Sequence, residues 1–267
     1  MTTVDKPVAE ATATEVETEY ADVVIVGTRI SGTAAAVVFA RAGLRVIGLD
    51  KSRFPSDTMS THIMVPNAVQ ELARMGALEK VLALNPAKSK YLTFDIGDVH
   101  IRERMRPYGG IDYGLTIPRD QLDVLLAEAA RDAGADMRER CLVEEVLMEN
   151  GRAVGVRYRT TTGRHEIRAK LVIGADGRKS KVAAGVGAWE PYRGSKNGRG
   201  FAYRYIDDPI GADKQDTYQV FRAEGNQALV MPSAPAGRAI VVHMCYASDI
   251  PRFREDPEGG VAGEARP

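Results

Sequence analysis

The first recognisable pattern starts at Tyr20-Ala21-Asp22 and runs into four consecutive apolar residues, Val23, Val24, Ile25 and Val26. An unbroken run, rather than an alternating one, suits a parallel strand covered on both faces. Gly32 to Ala42 follows as an Ala/Val-rich helix with Gly43 in the stop position. Leu44 to Leu49 then predicts a second strand, ending at Asp50, which completes a βαβ unit. Residues 67–84 carry helical spacing broken at Gly76, and residues 91–117 read as strand punctuated by Gly97, Gly109-Gly110 and Gly114. From Arg119 to Asp132 the spacing sets Leu122, Leu125, Leu126 and Ala129 on one helical face. Val143–Glu149 and Ala153–Thr160 flank Asn150-Gly151, a pair suited to a type I′ hairpin because both turn residues take positive φ. After a turn at Thr162-Gly163, Leu171-Val172-Ile173 predicts another buried strand, ending in GADGRKSKVA. Between Phe201 and Ala247 only short strands are expected, FAYRYI, TYQVFR, ALVM and AIVVHMCYA, and no internal repeat is present.

This pattern predicts an α/β fold: a doubly wound, Rossmann-like nucleotide domain with inserted and appended β-rich pieces forming a substrate-covering sheet. The expected division gives residues 1–20 to a flexible leader, 21–90 and 117–190 to the nucleotide domain, 91–116 and 191–255 to the β-rich substrate domain, and 256–267 to a tail.

Composition narrows the function classes. Lys and Arg total 36 against 36 for Asp and Glu, so the net charge is +0 and no basic field for nucleic acid is expected. No apolar run approaches the roughly 20 residues that span a bilayer, so no stable membrane insertion is expected. The first 20 residues lack the basic start and apolar centre of a secretory signal, and a cytoplasmic protein is expected. Cys141 and Cys245 stand far apart, and His62, His100, His165 and His243 show no ligand spacing, so no metal site is expected.

Two stretches carry candidate chemistry. In VVIVGTRISG, Gly27 and Gly32 fill the first and third glycine positions of the dinucleotide fingerprint G-x-G-x-x-G, while Arg29 replaces the second. A side chain there crowds the pyrophosphate, although a guanidinium could meet phosphate charge. Asp50, 18 residues after Gly32, stands where an acidic residue would meet the adenosine ribose. In GADGRKSKVA, Asp176 lies at the C-terminal edge of a strand, Gly177 permits close approach, and Ser180 sits near a helix cap. An ordinary Asp-Gly turn is the plainer reading of that second stretch.

Taken together, VGTRISG with its acidic strand end, the helix PRDQLDVLLAEAA and LVIGADGRKSKVA resemble the FAD-binding half of group A flavin monooxygenases, the para-hydroxybenzoate hydroxylase-like enzymes, whose relatives include geranylgeranyl reductases and flavin-dependent halogenases. The bacterial subgroup that shares the Arg of VGxRxxG continues, as here from Phe54 to His62, with FPSDTxSTH. The resemblance implies that Gly27, Arg29, Ile30, Ser31 and Gly32 line the FAD pyrophosphate, and that Asp50 and Lys51 meet the adenosine ribose with Arg53 close by. It also implies that Arg119 is directed at the flavin, that the backbone of Val143 touches adenine, and that Asp176 and Gly177 contact the FAD ribose and NAD(P)H. The family's Arg after the motif's Ser is replaced here by Val182, Ala183 and Ala184, which weakens the nicotinamide role. The implied activity is monooxygenation of an aromatic or polyketide-like small molecule with FAD as cofactor and NAD(P)H as transient reductant. Isoprenoid double-bond reduction is the alternative. No catalytic side chain is expected, since the flavin carries the chemistry. His62 is a weak candidate base, and Tyr203 and Tyr205 share a strand face that is either packed or lines the substrate.

The family's third motif, G-D-A followed by Pro, is not found between residues 200 and 267. A short or truncated chain is therefore expected to hold FAD chiefly by its adenosine half and to purify largely without it. It is also expected to turn over little, and to expose apolar surface that favours a partner chain or self-association.

Overall fold

The computed structural model describes residues 18–60, 62–188, 198–208, 215–223 and 226–256. The expected leader up to residue 17, the tail from residue 257, Thr61, Trp189-Glu190 and Gly211-Ala212-Asp213 lie outside them.

The chain forms β1 (Thr18–Val26), α1 (Ile30–Arg41) and β2 (Val46–Leu49), then β3 (Ile63–Met64), α2 (Pro66–Met75) and α3 (Leu78–Leu82). The hairpin of β4 (Tyr91–Ile96) and β5 (Val99–Arg104) precedes β6 (Leu115–Thr116), α4 (Arg119–Asp132) and β7 (Asp136–Arg138). Next come β8 (Leu142–Glu149), β9 (Arg152–Arg159), β10 (Arg164–Gly174) and the short α5 (Lys181–Gly185). Finally β11 (Arg199–Asp207), β12 (Thr217–Ala223), β13 (Asn226–Pro232) and β14 (Arg238–Tyr246) lead to α6 (Ile250–Glu255).

The first six-stranded sheet has the order β7-β2-β1-β10-β9-β8. Its first four strands are parallel and its last two turn back antiparallel. β1 is central, and its alternate residues explain the unbroken apolar run. Val23 and Ile25 pack with Ala36 and Val37 of α1 and with Leu122 and Leu126 of α4. Val24 and Val26 point to the other face, against Val146, Val156 and Val182. Each such buried side chain contributes roughly 1.5–3 kcal/mol of apolar burial. Asn150 and Gly151 have φ of 49° and 77°, as the hairpin turn between β8 and β9 requires.

One expectation fails. Leu171-Val172-Ile173 is not a fully buried strand: Leu171 is 43% exposed and its two neighbours are half-buried. The cause is pairing. β9 accompanies β10 only from Arg164 to Arg168, so beyond that point β10 has β1 on one side and, among the described residues, no strand on the other.

The second sheet has the order β11-β14-β13-β12-β4-β5, so the hairpin that precedes α4 is completed by strands that follow α5. It joins through β4, which runs parallel to β12. A separate two-stranded ribbon pairs Ile63 with Thr116 and Met64 with Leu115. This ribbon fixes His62, just before β3, close to the start of α4, just after β6.

Candidate functional site

The C-terminal ends of β1 and β10 meet. Gly27 leaves β1 with φ of +88°, donates its N–H to the Leu49 carbonyl at 2.8 Å, and lies so close to Ala175 that an added Cβ would stand 2.5 Å from its carbonyl oxygen. Ala175 in turn donates its N–H to the Val26 carbonyl at 2.7 Å. At Gly32 an added Cβ would fall 1.8 Å from the Gly27 carbonyl oxygen, so only glycine lets the first turn of α1 fold back on the strand. No side chain caps α1, and its first turn carries no acidic residue. An uncapped helix start beside a glycine turn is a favourable place for an anion such as a pyrophosphate, because N–H groups and the positive dipole end face outward there.

Asp50 is buried and shapes this turn. One carboxylate oxygen accepts the Thr28 N–H at 2.8 Å and the other accepts the Ser52 N–H at 2.8 Å. The first oxygen also accepts the Thr28 hydroxyl at 3.4 Å, and the second keeps a lone pair for a further donor such as a ribose hydroxyl. Lys51 and Arg53 are exposed on the same segment. The segment carrying Val143 zips onto it, with the Cys141 N–H donated to the Asp50 carbonyl at 2.8 Å and the Arg140 N–H to Ser52 at 3.0 Å. Val143 itself is buried at the start of β8.

The Arg29 guanidinium bonds within the protein, to the Asp123 carboxylate and to Ser56, whose Oγ accepts at 2.9 Å and whose carbonyl accepts at 3.2 Å. It also lies 5.3 Å from the Phe54 ring centroid. Asp123 is fully buried, and Arg119 grips it a second time, Nε to Oδ1 at 2.9 Å and Nη2 to Oδ2 at 3.0 Å. A carboxylate without solvent demands cationic partners, and two guanidinia are drawn to it. Arg119 and Arg29 are therefore both engaged by the Asp123 carboxylate.

Asp176 likewise faces its own helix. It accepts the Ser180 hydroxyl at 2.6 Å and the Lys181 N–H at 2.6 Å, while Ser180 caps α5 by accepting the Ala183 N–H at 2.9 Å. Gly177 has φ of +78° with open space where a side chain would stand. The Asp-Gly turn is thus first of all a helix start.

A further cluster was scarcely legible in the chain. His62 has φ of 62° and a buried ring. Its Nδ1 lies 2.7 Å from the Ser60 carbonyl oxygen, which can only accept, so the proton sits on Nδ1. Nε2 is then the acceptor for the Tyr205 hydroxyl at 3.0 Å. Tyr203 donates to Asp57 at 2.8 Å, and its ring lies 5.2 Å from that of His62. Burial depresses the His62 pKa, against the raising effects of the Ser60 carbonyl and Asp57, and the ring stays neutral. Burial and the bond to Asp57 push the Tyr203 phenol up to about 12, and burial also raises Tyr205. Sequence separations of 143 and 146 residues hide these pairs; only the shared face of Tyr203 and Tyr205 hinted at them.

A hollow of about 690 Å³ lies at the opposite end of β1 and β10. Its Asp22 and Lys170 pair with each other, as do Glu166 and Arg168, so it presents charges that are already satisfied. Among the described residues no helix is long and apolar enough to cross a membrane and no cluster could hold a metal ion.

Comparison with known proteins agrees with this architecture. The chain is 33% identical over 210 residues to a menaquinone reductase of Mycobacterium tuberculosis, covering 72% of this chain and 47% of that protein. It is 30% identical over 168 residues to digeranylgeranylglycerophospholipid reductase 1 of Methanopyrus kandleri, covering 62% and 42%. The chain thus spans about half the length of these relatives or less. Among solved structures, the myxobacterial chondrochloren halogenase CndH superposes with a TM-score of 0.76 at 21% identity, over 91% of this chain and 57% of that one. PqsL, a probable FAD-dependent monooxygenase from Pseudomonas aeruginosa, does so with 0.74 at 19%, over 89% and 64%. The glycine turn, the uncapped helix and the acidic strand end all fall inside the stretch from residue 20 to residue 247 that matches the FAD binding domain, and the chain belongs to that FAD-binding family.

Proposed function

We propose that this chain forms the FAD-holding and substrate-facing part of an oxidoreductase that reduces a double bond in a largely apolar, isoprenoid-like small molecule. One observation carries the reading. A single row crosses all six strands of the second sheet on the face that meets His62: Tyr203, Val242, Leu229, Val220, Phe94 and Ile101. The row is apolar apart from one phenol, and that phenol is already bonded to Asp57. Phe201 and Met244 extend the same face. Val220, Leu229 and Val242 are core within this row, and the accessible part, Tyr203, Phe94 and Ile101 with Phe201 and Met244, would recognise hydrocarbon by area rather than by hydrogen bonds. The relatives named as reductases of a geranylgeranyl lipid and of menaquinone support the same direction.

Bound FAD would supply the hydride, with NAD(P)H restoring its electrons. The chain's own contribution is to hold the dinucleotide. In this reading the N–H groups of Ile30 and Ser31 and the close approach allowed by Gly27 and Gly32 receive the pyrophosphate. Asp50, Lys51 and Arg53 meet the ribose, the Val143 backbone meets adenine, and Asp176-Gly177 borders the ribityl end. The FPSDTxSTH segment favours a second reading, an NAD(P)H- and O₂-using hydroxylase of an aromatic or polyketide-like molecule. Turnover with an isoprenoid substrate separates the two. Equal yields of the hydrogenated product with and without O₂ are expected. A product formed only with O₂, and carrying one added oxygen atom, would replace the reductase reading with the hydroxylase one.

A further inference from the structure

We propose that Asp57 and His62 are specificity-determining residues: they tie back the hydroxyls of Tyr203 and Tyr205 so that β11 presents ring faces, not phenol oxygens, to the substrate. The inference rests on the reading of an apolar substrate given above and assigns the residues that enforce it.

Tyr203 and Tyr205 stand two apart on β11, on the same face as Phe201. They are the half-buried phenols of a wall that also holds the fully buried Tyr218 and is otherwise built of Phe, Leu, Val, Ile and Met. Left to themselves, two half-buried phenols would need water or a polar ligand, since an unmet hydroxyl is costly beside hydrocarbon. Both are met from the same short segment. Asp57 takes one at 2.8 Å and His62 takes the other at 3.0 Å. The segment is held for this task. Ser60 accepts the His62 backbone N–H at 3.1 Å through its hydroxyl and the Nδ1 proton through its carbonyl, and His62 takes a left-handed φ of 62°. That arrangement fixes the tautomer in which Nε2 can only accept. Tyr205 then packs edge to face on both His62 and Tyr203, while the His62 and Tyr203 rings are tilted by 56°, with centroids 5.2 to 5.8 Å apart across the three pairs. Arg119, Asp120 and Asp123 are the charged groups that face this cluster from α4.

The test is a rescue. Equilibrium binding of geranylgeraniol, an uncharged isoprenoid alcohol, is measured for the FAD-loaded wild type, Asp57→Ala, Tyr203→Phe and the double variant. Asp57→Ala frees a phenol into the wall and is expected to weaken binding about tenfold, the effect of one unmet hydroxyl. Tyr203→Phe keeps the ring and sheds the hydroxyl, so adding it to Asp57→Ala should restore affinity to that of Tyr203→Phe alone. Failure of the double variant to recover would overturn the clasp, because a merely structural role for Asp57 gives no rescue. A second readout needs no ligand. Tyrosinate absorbance against pH should show one phenol of Asp57→Ala titrating below its wild-type position, and superimposable curves would also overturn the clasp. Absence of geranylgeraniol binding by a wild type whose tyrosinate curve does respond to Asp57→Ala would instead remove the apolar-substrate reading on which the proposal builds.

Discussion

The turns that follow β1 and β10 share an outline, strand, glycine, small residue, short helix start, yet they are held in different ways. The first lies between two hydrogen-bonded neighbours, with Val23 to Val26 all buried and Gly27 and Gly32 in contact with backbone. The second leaves a strand that has lost β9 as a partner; Leu171 is exposed, Gly177 faces open space, and Asp176 is consumed by α5. One strand end is built as a rigid cradle, and the other is a helix start that borders it. The difference teaches that a motif's surroundings, not its letters, decide how much of it is free to bind.

The sharpest way to break this comparison is to add one methyl group to each turn. Gly32→Ala places a carbon 1.8 Å from a carbonyl and should cost at least about 3 kcal/mol of unfolding free energy in urea titration. Gly177→Ala meets nothing within 4 Å and should cost only the left-handed backbone penalty of roughly 1–2 kcal/mol. Equal losses at the two sites would show that the turns are not differently packed. Next in size, Asp123→Asn takes the counter-charge from Arg29 and Arg119 and should destabilise by about 3 kcal/mol. Asp176→Ala removes the acceptor at the α5 start and should cost about 1 kcal/mol, visible as a small fall in Tm.

The smallest expected effect comes from His62. Its folded pKa is depressed below the ordinary value of 6.5, so the unfolded chain binds the proton more readily. Its contribution to stability is complete above pH 6.5 and is lost as pH falls from there through the depressed value. His62→Gln should flatten that part of the stability–pH curve, and an unchanged slope would place the titration elsewhere.

Local pattern was enough for β1, α1, β2, α4 and the Asn150-Gly151 hairpin, because each is decided by residues within a few positions of one another. The glycine positions of the first turn were legible for the same reason. Burial of Leu171 was not, since it depends on where β9 stops pairing. The direction of Arg29 was hidden as well: its partner Asp123 lies 94 positions away and looks like any polar residue of an amphipathic helix. Asp176 shows the limit of motif reading, because the same Asp-Gly pair serves a ligand site and a helix cap equally well. The clasp of Asp57 and His62 onto β11 exists only once the two sheets are assembled.

The central claim is that the turn after β1 is the anchoring half of the site and grips the adenosine diphosphate part of FAD. Competition titration tests it most directly. FAD is added to the chain, flavin fluorescence gives the bound fraction, and ADP or FMN is then titrated in. The account predicts that FAD binds and that ADP displaces it, while FMN, which lacks the adenosine half, does so far less. Displacement by FMN as effective as that by ADP, or no binding of FAD at all, would contradict it.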